Sequence, residues 1–145
     1  MDISKFLRTE EDYEPIDNGR WMPVSEDDPD TQFFVIGMQS KEAQDYLKNA
    51  AARLREQNGG KELTSEQLNQ LTQDCLAEIC LKDWKGVKNN GEEVPFSREL
   101  ARRSMSSRDK TFLAIVSGLV SELDRNAEKY VEAVKKKYSP RCCGQ

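Results

Sequence analysis

Leu63-Thr64-Ser65-Glu66-Gln67-Leu68-Asn69-Gln70-Leu71-Thr72-Gln73-Asp74-Cys75-Leu76-Ala77-Glu78-Ile79-Cys80 is the stretch whose reading decides the fold. Thr64 as N-cap and Gln67 three residues on make a capping box, with Leu63 and Leu68 placed as its hydrophobic staple. Leu68, Leu71, Cys75 and Ile79 then recur at helical spacing, and Leu76 and Cys80 widen the stripe. Local signals and periodicity agree on an amphipathic helix with one buried face.

Upstream, Ser40 is a good N-cap, and Ala43, Leu47, Ala50 and Leu54 fall on one helical face before Gly59-Gly60 ends the run. Before that the period shortens. Gly19–Val24 carries Trp21, Met22 and Val24, and Thr31–Ile36 carries Phe33, Phe34, Val35 and Ile36. Both segments are short and rich in aromatic or β-branched residues, and the acidic turn-former Ser25-Glu26-Asp27-Asp28-Pro29-Asp30 separates them. An antiparallel hairpin fits. Its tip lacks the alternate ligands, central glycine and terminal glutamate of a calcium loop, so a solvated turn is expected. Residues 1–18 read as a flexible arm or one short helical turn, with a small apolar cluster, Ile3, Phe6 and Leu7, that a partner could order.

Downstream, the helix gives way at Trp84-Lys85-Gly86-Val87, passes Asn90-Gly91 and reaches Val94-Pro95-Phe96-Ser97. Asn-Gly is a strong hairpin-turn signal, so Val87 and Val94 are expected to face each other. Ser97 caps a short helix over residues 98–104. Residues 108–137 read as one long helix, with Phe112, Val116, Leu119, Leu123, Tyr130 and Val134 near a heptad seam. Asn126 sits where that seam wants an apolar residue. Leu113, Ile115, Val120, Ala127 and Val131 broaden the apolar face, and Tyr138-Ser139-Pro140 ends the run. The expected architecture is mainly α: an N-terminal β-hairpin followed by about four helices, a helix-dominated α+β fold. Residues 19–138 would form one domain, with a tail at 139–145.

A chain of 145 residues is one domain's worth, and 37% hydrophobic against 33% charged residues is polar for a globular protein. Twenty-two basic against 26 acidic residues leave a net charge of −4, which offers no global field for nucleic acid or anionic lipid. Arg98, Arg102, Arg103, Arg108 and Lys110 do cluster, and Lys135–Lys137 form a run, but no aromatic residues interleave with them for base stacking. The longest apolar stretch, Phe112–Val120, is nine residues and too short to span a bilayer. No signal peptide precedes it, so a soluble intracellular protein is expected.

The absence of histidine removes the commonest general base and the commonest metal ligand. No serine sits in a nucleophile context, and the glycines form no phosphate cradle. Paired carboxylates such as Glu92/Glu93 lie in loops without apolar walls to raise a pKa. Cys75 and Cys80, five apart on an α-helix, would point about 140° apart, and adjacent Cys142 and Cys143 chelate poorly. Neither an enzyme, a metal nor a cofactor is expected. What stands out instead is Trp84, Val87, Val94 and Phe96, four bulky apolar side chains in a loop rich in Gly and Asn. They either fill the domain's own core or dock against a partner or another copy. The long helix poses the same choice at Ile115, Leu119 and Leu123, the candidate client-binding face.

The string Trp84-x-Gly86-Val87, Gly91, Val94-Pro95-Phe96-Ser97 directly after a capped helix resembles the tail assembly chaperones of long-tailed bacteriophages and prophages. The opening Gly19-x-Trp21-x-x-Val24, the acidic turn at Asp27–Asp30 and the second strand at Gln32–Gly37 are similar to that family's start. The likeness covers most of residues 16–135. It implies a non-enzymatic protein of the host cytoplasm, absent from the mature virion, that binds the tape measure protein, helps recruit tail tube protein and self-associates. It also implies that the chain is the shorter product of a frameshifted pair, with Lys135–Lys137 as a candidate slip site. Two rivals from other classes are a structural tail-completion or connector protein and a small DNA-binding regulator using the Arg98–Lys110 cluster.

Overall fold

The computed structural model of the protein describes residues 1–131. The expectations for Val134, Lys135–Lys137, Tyr138-Ser139-Pro140, Cys142, Cys143 and the 139–145 tail lie outside these residues. Within them the fold is helix-dominated α+β, with a hairpin first and helices after, as the residue pattern indicates.

The chain opens with a 3₁₀ turn at Ser4–Leu7 and continues into α1 (Glu10–Asn18). Here the reading of residues 1–18 as an arm is corrected. Thr9 and Asp12 form a reciprocal capping box, and Glu10, Glu11 and Asp12 occupy the first turn, where the helix dipole favours negative charge. That gain holds the helix together despite the hydrogen bond that Pro15 forfeits. Pro15 and Ile16 are buried, so α1 belongs to the folded body.

Strands β1 (Arg20–Ser25) and β2 (Asp28–Val35) pair antiparallel around Glu26-Asp27, with Met22 opposite Phe33 and Trp21 opposite Phe34. The strands run further into the acidic stretch than expected. Helix α2 (Lys41–Gln57) starts at Ser40, whose hydroxyl accepts the Ala43 N–H at 3.1 Å, and buries Ala43 and Ala50. Helix α3 (Ser65–Cys75) starts at the Thr64/Gln67 capping box and buries Leu71 and Cys75. Leu68, assigned to the buried stripe, is 51% exposed.

The helical periodicity does not carry through to Cys80 as α-helix. Leu76–Cys80 is a π-helical turn, and the chain passes straight into β3 (Leu81–Lys85). That strand pairs antiparallel with β2, opposing Trp84 to Phe33 and Asp83 to Phe34, so the sheet has three strands in the order β1-β2-β3. Met22, Phe33 and Trp84 lie side by side on its buried face. A ribbon of β4 (Lys88–Asn89) and β5 (Glu92–Glu93) follows. Its Asn90-Gly91 turn has φ of 53° and 85°, the type I′ geometry its sequence demands, and Val94 N–H donates to Val87 C=O at 2.9 Å.

Helix α4 (Arg98–Met105) is capped by Ser97, and α5 (Thr111–Arg125) crosses the back of the sheet. The single long helix predicted over residues 108–137 is corrected as well. It closes at Asn126, whose side chain donates to Glu122, and helix resumes at 127–131. The Asn126 backbone, at φ −122° and ψ 34°, leaves the helical region there. Val116, Val120 and Leu123 of α5 complete the core with Ile16, Val35, Leu81 and Met105.

Candidate functional site

Four aromatic rings gather where β2, β3, the β5–α4 connection and the start of α5 meet. Trp84 packs on Phe96 with ring centres 4.9 Å apart, and Phe33 on Phe112 at 5.5 Å, while Trp84 and Phe112 are 6.2 Å apart. Trp84 is 6% exposed, and its indole N–H donates to the Val94 carbonyl at 3.0 Å. The tryptophan therefore serves the domain's own core. Its polar edge is satisfied by the strand that the Asn90-Gly91 turn folds back towards it. Gly86 completes the motif: φ is +75°, and a Cβ would sit 2.3 Å from the Asp30 carbonyl oxygen, so this strand end can approach β2 only as glycine.

Above this cluster lies a shallow groove of ≈ 670 Å³, lined by Val24, Thr31, Phe33, Val87, Phe112 and Ile115. Its rim is charged, with Asp28 and Asp30 on the hairpin side and Lys85, Lys88 and Glu93 on the other. Glu93 accepts the Gly86 N–H at 3.3 Å, and the Thr31 hydroxyl donates to Asp28 at 2.7 Å, which fixes the rim. An adjoining depression of ≈ 400 Å³, bordered by Ser104, Ser107, Asp109 and Thr111, shares Phe112 and Ile115. The two make one open trough across the head of α5. An apolar floor with a mixed-charge rim is the chemistry of a protein contact.

The candidate interaction residues thus divide. Val87 and Ile115 come together in the groove, while Trp84, Val94 and Phe96 support it from beneath. Leu119 is half-buried against the core. Leu123 is fully buried and does not belong to an exposed client face, because α5 turns that side towards the sheet. Val24, Phe33 and Phe112 line the groove and were missed as site residues. Their signals were present, in the alternation of the hairpin and the heptad seam, but each reads equally well as ordinary core.

Cys75 and Cys80 lie at the two ends of the π-turn and are both fully buried, and the Cys75 thiol donates to the Ala43 carbonyl at 3.9 Å. The neighbouring Cys75, reinforced by burial, pushes the Cys80 thiol up and keeps it protonated. The junction between turn and strand is held by Arg98, which donates to the Ala77 and Leu81 carbonyls at 2.5 Å each. Arg102 pairs with Glu78 through two hydrogen bonds. Two of the five cations in the basic cluster are therefore occupied within the fold. Among the described residues, no group of three or more metal-binding side chains converges, and no helix is long and apolar enough to cross a membrane.

A helix-dominated α+β domain presenting an apolar trough is the class that this fold and site define. The chain belongs to the YdaY prophage protein family, whose model matches residues 38–137, from the loop before α2 through α5 and beyond. No curated protein and no solved structure matches it.

Proposed function

We propose that this prophage protein is a tail assembly chaperone. It would work without catalysis in the host cytoplasm and leave before the particle matures. Its partners would be the tape measure protein, tail tube subunits and its own copies. The observation that carries this reading is the groove itself. The block Trp84–Ser97, on which the likeness to tail assembly chaperones rests, folds as one unit whose Val87 faces Ile115 of α5 across an open apolar floor. A largely helical client offers apolar stripes of the kind such a trough covers. Membership of a prophage family and the order of motifs from the hairpin to α5 support the same reading.

Co-expression with a tape measure fragment tests it: the two should co-purify, and a charge at Ile115 or Leu119 should abolish tail assembly while the circular dichroism of the domain is unchanged. Tails that assemble normally without the gene would refute the proposal. Recovery of the protein from purified particles would make it a structural connector instead. The proposed longer companion requires a slippery heptamer in the codons for Lys135–Lys137 and an overlapping downstream frame, both readable from the gene.

A further inference from the structure

A second apolar feature lies at the opposite end of α5. Ile3, Phe6 and Leu7 stand 53%, 74% and 68% exposed on the 3₁₀ turn. The turn is held by Phe6 N–H donating to the Ile3 carbonyl and Ser4 N–H donating to Asp2, each at 2.9 Å. Spacings of i, i+3 and i+4 are those of a short helical ligand laid into a groove. Behind the turn, Arg8 donates to the Arg125 carbonyl at 3.0 Å and lies 3.6 Å from Glu128. This anchor places the apolar knob by the C-terminal end of α5.

The trough lies at the other end, around Phe112 and Ile115, about 20 Å away at the rise of an α-helix. One copy cannot fill its own trough without giving up the Arg8 anchor. Charges match as well. Exposed Glu10, which lies 3.5 Å from the Lys41 ammonium on the same copy, follows the knob, while exposed Arg108 and Lys110 flank the Asp109 end of the trough without an ion pair among the described residues.

We infer that the N-terminal turn of one copy seats Ile3, Phe6 and Leu7 in the α5–hairpin trough of a second copy. The inference rests on the self-associating chaperone reading above. Knob and trough are different surfaces at opposite ends, so the contact is head-to-tail, and every added copy leaves one of each free. Three side chains bury much less than the roughly 1,200–2,000 Å² of a stable interface, so the contact is weak and depends on concentration.

Sedimentation velocity of the full chain over a wide concentration range tests this. The wild type should climb from its 16.6 kDa monomer through dimers to longer species. Phe6→Glu and Ile115→Glu should each stay monomeric alone. Mixed one to one they should form a complex that stops at two copies, because one retains the trough and the other the knob. Val87→Asp replaces Ile115→Glu should the latter lose its circular dichroism. The inference is overturned if Phe6→Glu associates like wild type, if the folded variants stay monomeric when mixed, or if the wild type never associates. Ile115→Glu that abolishes binding of a tape measure fragment but not self-association would give the trough to the client and also overturn it. A wild type that self-associates as described yet never captures a tape measure fragment sinks the chaperone reading alone.

Discussion

Asp124, in the last turn of α5, accepts the main-chain N–H of Met38 at 2.9 Å and of Gln39 at 3.2 Å, 85 residues and more away in the chain. This buried carboxylate closes the loop between β2 and α2 and ties the end of α5 to the hairpin layer. It does for the Met38-Gln39 turn what an N-cap does for a helix: it supplies an acceptor to successive main-chain donors.

Asp124→Ala should therefore remove the acceptor of two part-buried main-chain donors and cost about 1–3 kcal/mol. Asp124→Asn, which keeps one acceptor, should cost less. Urea denaturation of the two variants beside wild type checks the order, and equal losses would show that the contact is one of shape alone.

The same residue gives the protein a pH signature. Burial raises the Asp124 pKa above 3.8, outweighing the two backbone hydrogen bonds that lower it. The folded state then holds the proton more tightly than the unfolded state. Its contribution is fully present below 3.8 and is lost as pH rises through the folded value. Wild type should therefore gain stability relative to Asp124→Asn as pH falls through that window. A difference that is flat with pH, measured by thermal melts across the acid range, would contradict this.

Two glycines should respond in opposite directions to alanine. A Cβ on Gly37 would lie 2.2 Å from an Asp124 carboxylate oxygen and 2.6 Å from Ile16, both packed groups, so Gly37→Ala should cost about 3 kcal/mol. Gly118 lies inside α5 with nothing within 4 Å, so Gly118→Ala should stabilise the protein by about 1 kcal/mol. Melting temperatures of the two variants should bracket the wild type.

Trp84→Ala removes a buried ring and orphans the Val94 carbonyl, and should cost about 3–5 kcal/mol. Phe96→Ala should cost less, because that ring is only partly buried against Trp84. If Trp84→Ala melts like the parent, the ring does not support the groove from the core.

Much of this molecule is legible where a short span supplies both partners of an interaction. The Thr64/Gln67 box, the Ser40 and Ser97 caps, the Asn90-Gly91 turn and the hairpin around Glu26-Asp27 each close within a few residues. Helix α1 is equally legible in Thr9-x-x-Asp12 and its acidic first turn, although Pro15 lies inside it. Strand β3 was not legible. Leu81-Lys82-Asp83-Trp84-Lys85 continues a helical pattern, and its partner β2 lies about fifty residues upstream.

The groove shows the same division. Local chemistry, carried by capping side chains, turn glycines and the spacing of apolar residues, determined that the chain is a hairpin followed by capped helices with bulky side chains in its Trp84–Ser97 loop. Only tertiary packing decided which of those side chains remain at the surface. Whether Trp84 is core and Val87 rim, or whether Leu123 is buried and Ile115 half-open, depends on how α5 is rotated over the sheet. That rotation is set by Asp124, Phe33 and Phe112 meeting groups far away in the chain, and no local pattern encodes it.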